Sequence, residues 1–128
     1  MRILVVDDEQ DVRTLILETL KAAGYTEFLE ADNGLSGLRL VENADMILTD
    51  LHMPAMAGAS LIREVRSNPR TELLPIIAIT SDSDETTVHR ILREGIEDYL
   101  IKPFDTNQLV EKVNRIRDRL RKSGRIAD

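Results

Sequence analysis

Short runs of branched apolar residues alternate along the chain with longer stretches in which apolar positions recur every three or four residues. Ile3 to Val6 reads as a buried strand, after which Val12, Leu15, Ile16, Thr19 and Leu20 follow at helical spacing until Gly24 stops them. Phe28 to Ala31 is a weaker strand. It is followed, after Asn33-Gly34, by a helix carrying Leu35, Leu38 and Val41. Met46 to Thr49 makes a third strand, and a loop with Pro54 and Gly58 leads into a helix holding Leu61, Ile62 and Val65, closed by Asn68-Pro69. Ile76 to Ile79 is the fourth strand, and Val88, Ile91 and Leu92 mark a helix that Gly95 ends. Tyr99 to Ile101 precedes a last helix with Leu109, Val113, Ile116 and Leu120 on one face. Apolar strands separated by amphipathic helices predict an α/β fold, a parallel sheet covered on both faces with right-handed crossovers. There is no internal repeat, low-complexity segment or linker. One domain over residues 1–122 is expected, with a frayed tail over 123–128.

Three of these strands run directly into charged side chains: Asp7-Asp8, Asp50 and Lys102. In an open parallel sheet the carboxyl ends of the strands share one edge, so these groups, far apart in sequence, converge in one crevice. Two like charges about 4 Å apart repel by roughly 4 kcal/mol at an effective dielectric near 20, so the carboxylates are strained unless a divalent cation sits among them. The cluster therefore reads as a magnesium site with a lysine beside it, suited to handling a phosphoryl group.

Composition narrows the class further. At 128 residues the chain can bury a core of its own, and a net charge of −6 argues against a general nucleic-acid surface. With no cysteine there is neither a disulfide framework nor a thiolate metal site. The amino terminus reaches Asp7 too early for a signal peptide, and no apolar stretch approaches a membrane span, so a cytoplasmic location is expected. The aromatic residues are Tyr25, Phe28, Tyr99 and Phe104 alone, which leaves no stacking platform for single strands.

From Arg2 to about Arg121 the chain resembles the receiver domain of two-component response regulators, of the stand-alone, chemotaxis type. The resemblance rests on Asp7-Asp8, on Asp50-Leu51-His52-Met53-Pro54 with Gly58 behind it, on Thr80 after the fourth strand and on Lys102-Pro103-Phe104 after the fifth, in that order. It implies a flavodoxin-like, doubly wound five-stranded sheet of order 2-1-3-4-5 with five helices and a cis bond before Pro103. It also implies a signalling switch rather than an enzyme: a histidine kinase or histidine phosphotransfer protein gives its phosphoryl group to Asp50, with Mg2+ as cofactor, and the domain assists its own phosphorylation and dephosphorylation. Asp8, Asp50 and the backbone carbonyl of His52 would ligate the metal, with Asp7 acting through water. Lys102 would pair with one phosphoryl oxygen and Thr80 with another. Asp82 and His52 would flank the path of attacking water.

By the same resemblance Thr80 and Tyr99 form the switch. A downstream protein would meet the face of the fourth helix, fifth strand and fifth helix, with Arg90, Arg93, Gln108 and Lys112 as candidate contacts. Plainer roles stand beside these. Asp8 or Asp11 could cap the first helix, Thr80 to Asp84 is a good helix start, His89 reads as solvated, and the basic run from Arg115 to Arg125 as an exposed helix end. Ala57, Ser81 and Gln108 stand where the family often has aspartate, alanine and glutamate, and Gln108 argues against dimerisation through the last helices for DNA binding. The alternative reading is the N-terminal receiver of a longer DNA-binding or enzymatic regulator. A flavin site is disfavoured because Asp7-Asp8-Glu9 repels a bare phosphate. A haloacid-dehalogenase-type phosphatase would need an Asp-x-Asp pattern on the first strand, which the chain lacks.

Overall fold

The computed structural model describes residues 1–127. Its strands are β1 (Arg2–Val6), β2 (Glu27–Ala31), β3 (Met46–Thr49), β4 (Ile76–Thr80) and β5 (Asp98–Ile101). Its helices are α1 (Gln10–Ala22), α2 (Gly34–Leu38), α3 (Gly58–Ser67), α4 (Glu85–Arg93) and α5 (Thr106–Lys122). The strands form one parallel sheet in the order β2-β1-β3-β4-β5, the expected doubly wound arrangement.

Strand alternation sends successive residues to opposite faces, and both faces are covered. Ile3, Val5, Leu48, Ile77 and Ile79 pack with Ile16 and Leu20 of α1 and with Leu109, Val113 and Ile116 of α5. Leu4, Val6, Ile47, Ile76 and Ala78 pack on the other side with Leu61, Ile62 and Val65 of α3 and Ile91 of α4. Burial on both faces explains why β1, β3 and β4 read as unbroken apolar runs.

The second helix is shorter than its spacing suggested. It ends at Leu38, and Val41 is buried from a separate 3₁₀ turn, Val41–Asn43, after Leu40 N–H turns back to the Gly37 carbonyl at 2.9 Å. Gly37 lies flat against Val6, where a Cβ would come within 2.9 Å of a valine methyl, so the segment is shaped by that close approach. Leu15, Leu35 and Leu92, grouped by spacing with the core positions, are exposed at the margins of their helices.

At the edge of the sheet opposite the charged cluster, Arg66 fastens two loops, α3–β4 and α4–β5. Its guanidinium donates to the carbonyls of Leu74 at 2.7 Å, Gly95 at 2.8 Å and Glu72 at 3.1 Å, and it faces Glu97 at 3.5 Å. The α4 end is thereby tied to the end of α3, with Arg63 and Glu94 paired at 3.6 Å alongside. After α5, the stretch expected as a frayed tail continues as a Schellman turn. Gly124, at φ 77, donates to Arg121, Arg125 donates to Leu120 at 3.0 Å, and Ile126 packs against the α5 side of the core. Asp128, the last residue of that expected tail, lies outside the described residues.

Candidate functional site

Asp7, Asp50 and Lys102 each sit one position past a strand, and one further ladder bond fixes each backbone. Asp7 N–H donates to the Ala31 carbonyl at 3.1 Å, Asp50 N–H to Val6 at 2.9 Å and Lys102 N–H to Thr80 at 2.8 Å. The peptide bond from Lys102 to Pro103 is cis, as the resemblance implied. The side chains then converge. Lys102 Nζ stands 2.8 Å from Asp7 Oδ2 and 3.2 Å from Asp50 Oδ2, and both carboxylates are nearly buried. Asp50 Oδ1 accepts the Leu51 N–H at 2.7 Å, which orients the carboxylate.

Asp7 accepts the Glu9 N–H at 2.9 Å, and its backbone carbonyl accepts a 2.6 Å bond from Arg13, a residue of α1 that sequence reading passed over. Burial pushes the Asp7 carboxyl above the usual range, against the opposing pull of Lys102. Burial also works to lower Lys102, yet the hydrogen bonds and charges of Asp7 and Asp50 outweigh it and hold the ammonium above its ordinary value. The two shifts have different causes: loss of hydration raises Asp7, whereas the carboxylates crowded around Lys102 raise the lysine.

The crowding is greater than expected, because Glu9 joins in. Ligand atoms of Asp7, Asp8, Glu9 and Asp50 all lie within 4.8 Å of one another, with Asp8 and Glu9 exposed at the mouth. An all-oxygen donor set with this excess of carboxylate is compatible with a hard divalent cation. The only sequence signal for Glu9 was its place directly after the acidic pair. The capping reading of Asp8 and Asp11 is corrected: the N-cap of α1 is Glu9, in extended conformation and without a side-chain cap bond.

Thr80 is 1% exposed at the end of β4, and its hydroxyl oxygen accepts the Asp82 N–H at 3.1 Å. The cap of α4 is supplied separately, by Asp84 accepting the Thr86 N–H at 2.9 Å. In the β4–β5 register Ala78 pairs with Tyr99 and Thr80 with Ile101, so Thr80 and Tyr99 share one sheet face, two residues apart along the strands. His52 Nε2 lies 3.3 Å from Asp82 Oδ2, bridging the β3–α3 and β4–α4 loops above the cluster. The Asp82 carboxyl is held below its usual range, first by the Asp84 N–H and further by His52.

The expected partner residues divide. Gln108 and Lys112 border a groove of about 540 Å³ between β5 and α5, with Tyr99 and Phe104, while Arg90 and Arg93 are exposed on α4 outside it. Lys112 is tied to Asp98 at 2.6 Å. His89 is exposed on α4. No described helix is long and apolar enough to cross a membrane.

The response regulator receiver domain model matches residues 3–114 of this chain. The chemotaxis protein CheY1 of Helicobacter pylori is 40% identical over 116 residues, which span 88% of this chain and 94% of that protein. Chemotaxis protein CheY of Pseudomonas aeruginosa is 34% identical over 122 residues, 94% of this chain and 98% of the relative. The solved receiver domain of the sensor histidine kinase PA1611 from P. aeruginosa, with a magnesium ion coordinated in its active-site cleft, superposes with a TM-score of 0.80 at 32% identity, over 89% of this chain and 94% of that one. The chain belongs to the response regulator receiver family. Within that family it is a phosphorylation-dependent signalling protein, not an enzyme with a turnover substrate.

Proposed function

We propose that this receiver acts as a stand-alone cytoplasmic switch that takes a phosphoryl group from a histidine kinase or histidine phosphotransfer protein onto Asp50. One observation carries the reading: Lys102 Nζ lies within 3.2 Å of Asp50 Oδ2 and 2.8 Å of Asp7 Oδ2, in a crevice where three strands end. A charge fixed there in advance is aimed at the oxygens of an arriving phosphoryl group, which is where in-line transfer gains most of its rate.

The Leu51 N–H holds Asp50 Oδ1, leaving Oδ2, beside the lysine, as the attacking atom. As the Oδ2–P bond forms, the N–P bond of the donor phosphohistidine breaks and its electron pair returns to the imidazole ring. Asp8, Asp50 and the His52 backbone carbonyl, with Asp7 through water, would hold Mg2+, which when bound offsets charge on the phosphoryl oxygens. The all-oxygen donor set supports that ion, and so does the magnesium in the PA1611 receiver. By the family resemblance His52 and Asp82, 3.3 Å apart, would flank the path of water to Asp50 and set the rate of dephosphorylation. The Thr80 hydroxyl then turns toward the new phosphate, Tyr99 follows on the same sheet face, and the surface of α4, β5 and α5 changes for a downstream protein.

Incubation with acetyl phosphate and Mg2+ attaches one acid-stable, base-labile phosphoryl group per chain, and chelation or Asp50→Asn abolishes it. Label mapped by mass spectrometry to serine or threonine overturns the reading.

A further inference from the structure

The Lys102 ammonium has three protons to donate and three carboxylate oxygens around it: Asp7 at 2.8 Å, Asp50 at 3.2 Å and Glu9 at 3.3 Å. A phosphoryl oxygen arriving at Asp50 needs one of those positions, so one carboxylate must withdraw. Asp7 cannot do so cheaply, because its side chain is 2% exposed and accepts the Glu9 N–H. Asp50 is 7% exposed and anchored by Leu51. The Glu9 side chain is 61% exposed, makes no cap bond to α1, and has Lys102 as its one partner among the described residues.

Resting on the acceptor role of Asp50, we infer that Glu9 is a resident stand-in for the phosphoryl group, a carboxylate that occupies Lys102 in the unphosphorylated state and is displaced when phosphate arrives. An exposed ion pair is weak and gives way readily. Its charge still faces any anionic donor entering the crevice, so Glu9 slows phosphorylation by small dianionic donors and tunes the site against adventitious signals. Asp7, Asp8 and Asp50 contribute the same sign of charge but cannot serve this purpose, since the chemistry depends on them. Glu9 is the one carboxylate of the four that the transfer does not require.

The test compares the parent with Glu9→Gln, which keeps the shape and removes the charge. At saturating Mg2+ and low ionic strength, labelling by acetyl phosphate is expected to run about three- to tenfold faster in the variant, the size of effect for one nearby charge in a solvated crevice. The gain shrinks in high salt as the charge is screened. Beryllofluoride, which occupies the phosphoryl position without covalent chemistry, is expected to bind the variant several-fold more tightly in a calorimetric titration. A parent that takes no label at Asp50 overturns the acceptor reading and this inference together. A parent that labels, beside a variant with equal or slower labelling and unchanged beryllofluoride affinity, overturns the role of Glu9 alone.

Discussion

The backbone carbonyl of Asp50 occupies the space where a side chain on Gly58 would begin: a Cβ built on Gly58 would lie 1.9 Å from that oxygen and 2.8 Å from the Leu51 Cα. Both are main-chain atoms at the end of β3, so nothing flexible can yield. Gly58 N–H also donates to the Leu51 carbonyl at 3.0 Å, drawing the first turn of α3 against the end of β3 that carries Asp50. Gly58→Ala should therefore lower stability by about 1–3 kcal/mol or more through overpacking, and displace Asp50 from Lys102. Urea denaturation measures the first effect and acetyl phosphate labelling the second. An alanine variant with parental midpoint and parental labelling contradicts this account.

Thr80 bonds to the Asp82 backbone as an acceptor, which leaves its proton available to a phosphate oxygen. Thr80→Ala should still be labelled at Asp50 to near the parental extent, while the beryllofluoride-induced amide shifts around Tyr99 and α4 fall to a small fraction of the parent's. Thr80→Ser, which keeps the hydroxyl, should restore them. Undiminished remote shifts in the alanine variant would remove Thr80 from the signal path, since a ligand moves an equilibrium only through differential contact with its two states.

Glu97, near the start of β5, supplies a pH signature away from the cluster. Burial raises its carboxyl pKa, against the opposing Ile76 N–H, Arg66 and Arg119. A folded-state pKa above the ordinary value of 4.5 means that the native chain binds this proton more tightly than the unfolded chain does. Stability contributed here consequently increases as pH falls from neutrality through the folded pKa toward 4.5 and levels off below it. Compared with Glu97→Gln, the parent should gain relative stability on acidification across that interval in paired urea titrations. A difference that stays flat from pH 7 to 4.5 would show that the carboxyl is not perturbed.

Much of this is legible in the sequence, for identifiable reasons. The runs Ile3 to Val6, Met46 to Thr49 and Ile76 to Ile79 are buried on both faces and admit few other readings, and once they are parallel the topology alone collects Asp7, Asp50, Thr80 and Lys102 at one edge. What resisted prediction depends on contacts between elements. Helical spacing could not separate Leu15, Leu35 and Leu92 from true core positions, because a residue at the margin of an apolar stripe is buried only if a neighbour covers it. The break between Leu38 and Val41 follows from Gly37 pressing on Val6, a partner more than thirty positions away in sequence. Glu9 entered the cluster through the reach of the Lys102 side chain. Ala57 occupies the N-cap of α3 without a side-chain bond, at a position where the family often places an aspartate, so its departure from pattern touches helix capping and leaves the cluster intact.

The Arg66 fastening changes what kind of motion α4 can make. Held at Gly95 and Glu94 and connected at its other end to the Thr80 to Asp84 loop, the helix is a beam with one clamped support. Its nine residues span about 13 Å, so an ångström of travel at the free end is a tilt of about 4° with little sliding along the axis. Side chains near Asp84 would sweep an arc while those near Arg93 barely move. A partner seated at the Thr86 and Val88 end would thus feel the whole displacement, and one seated on Arg93 almost none of it.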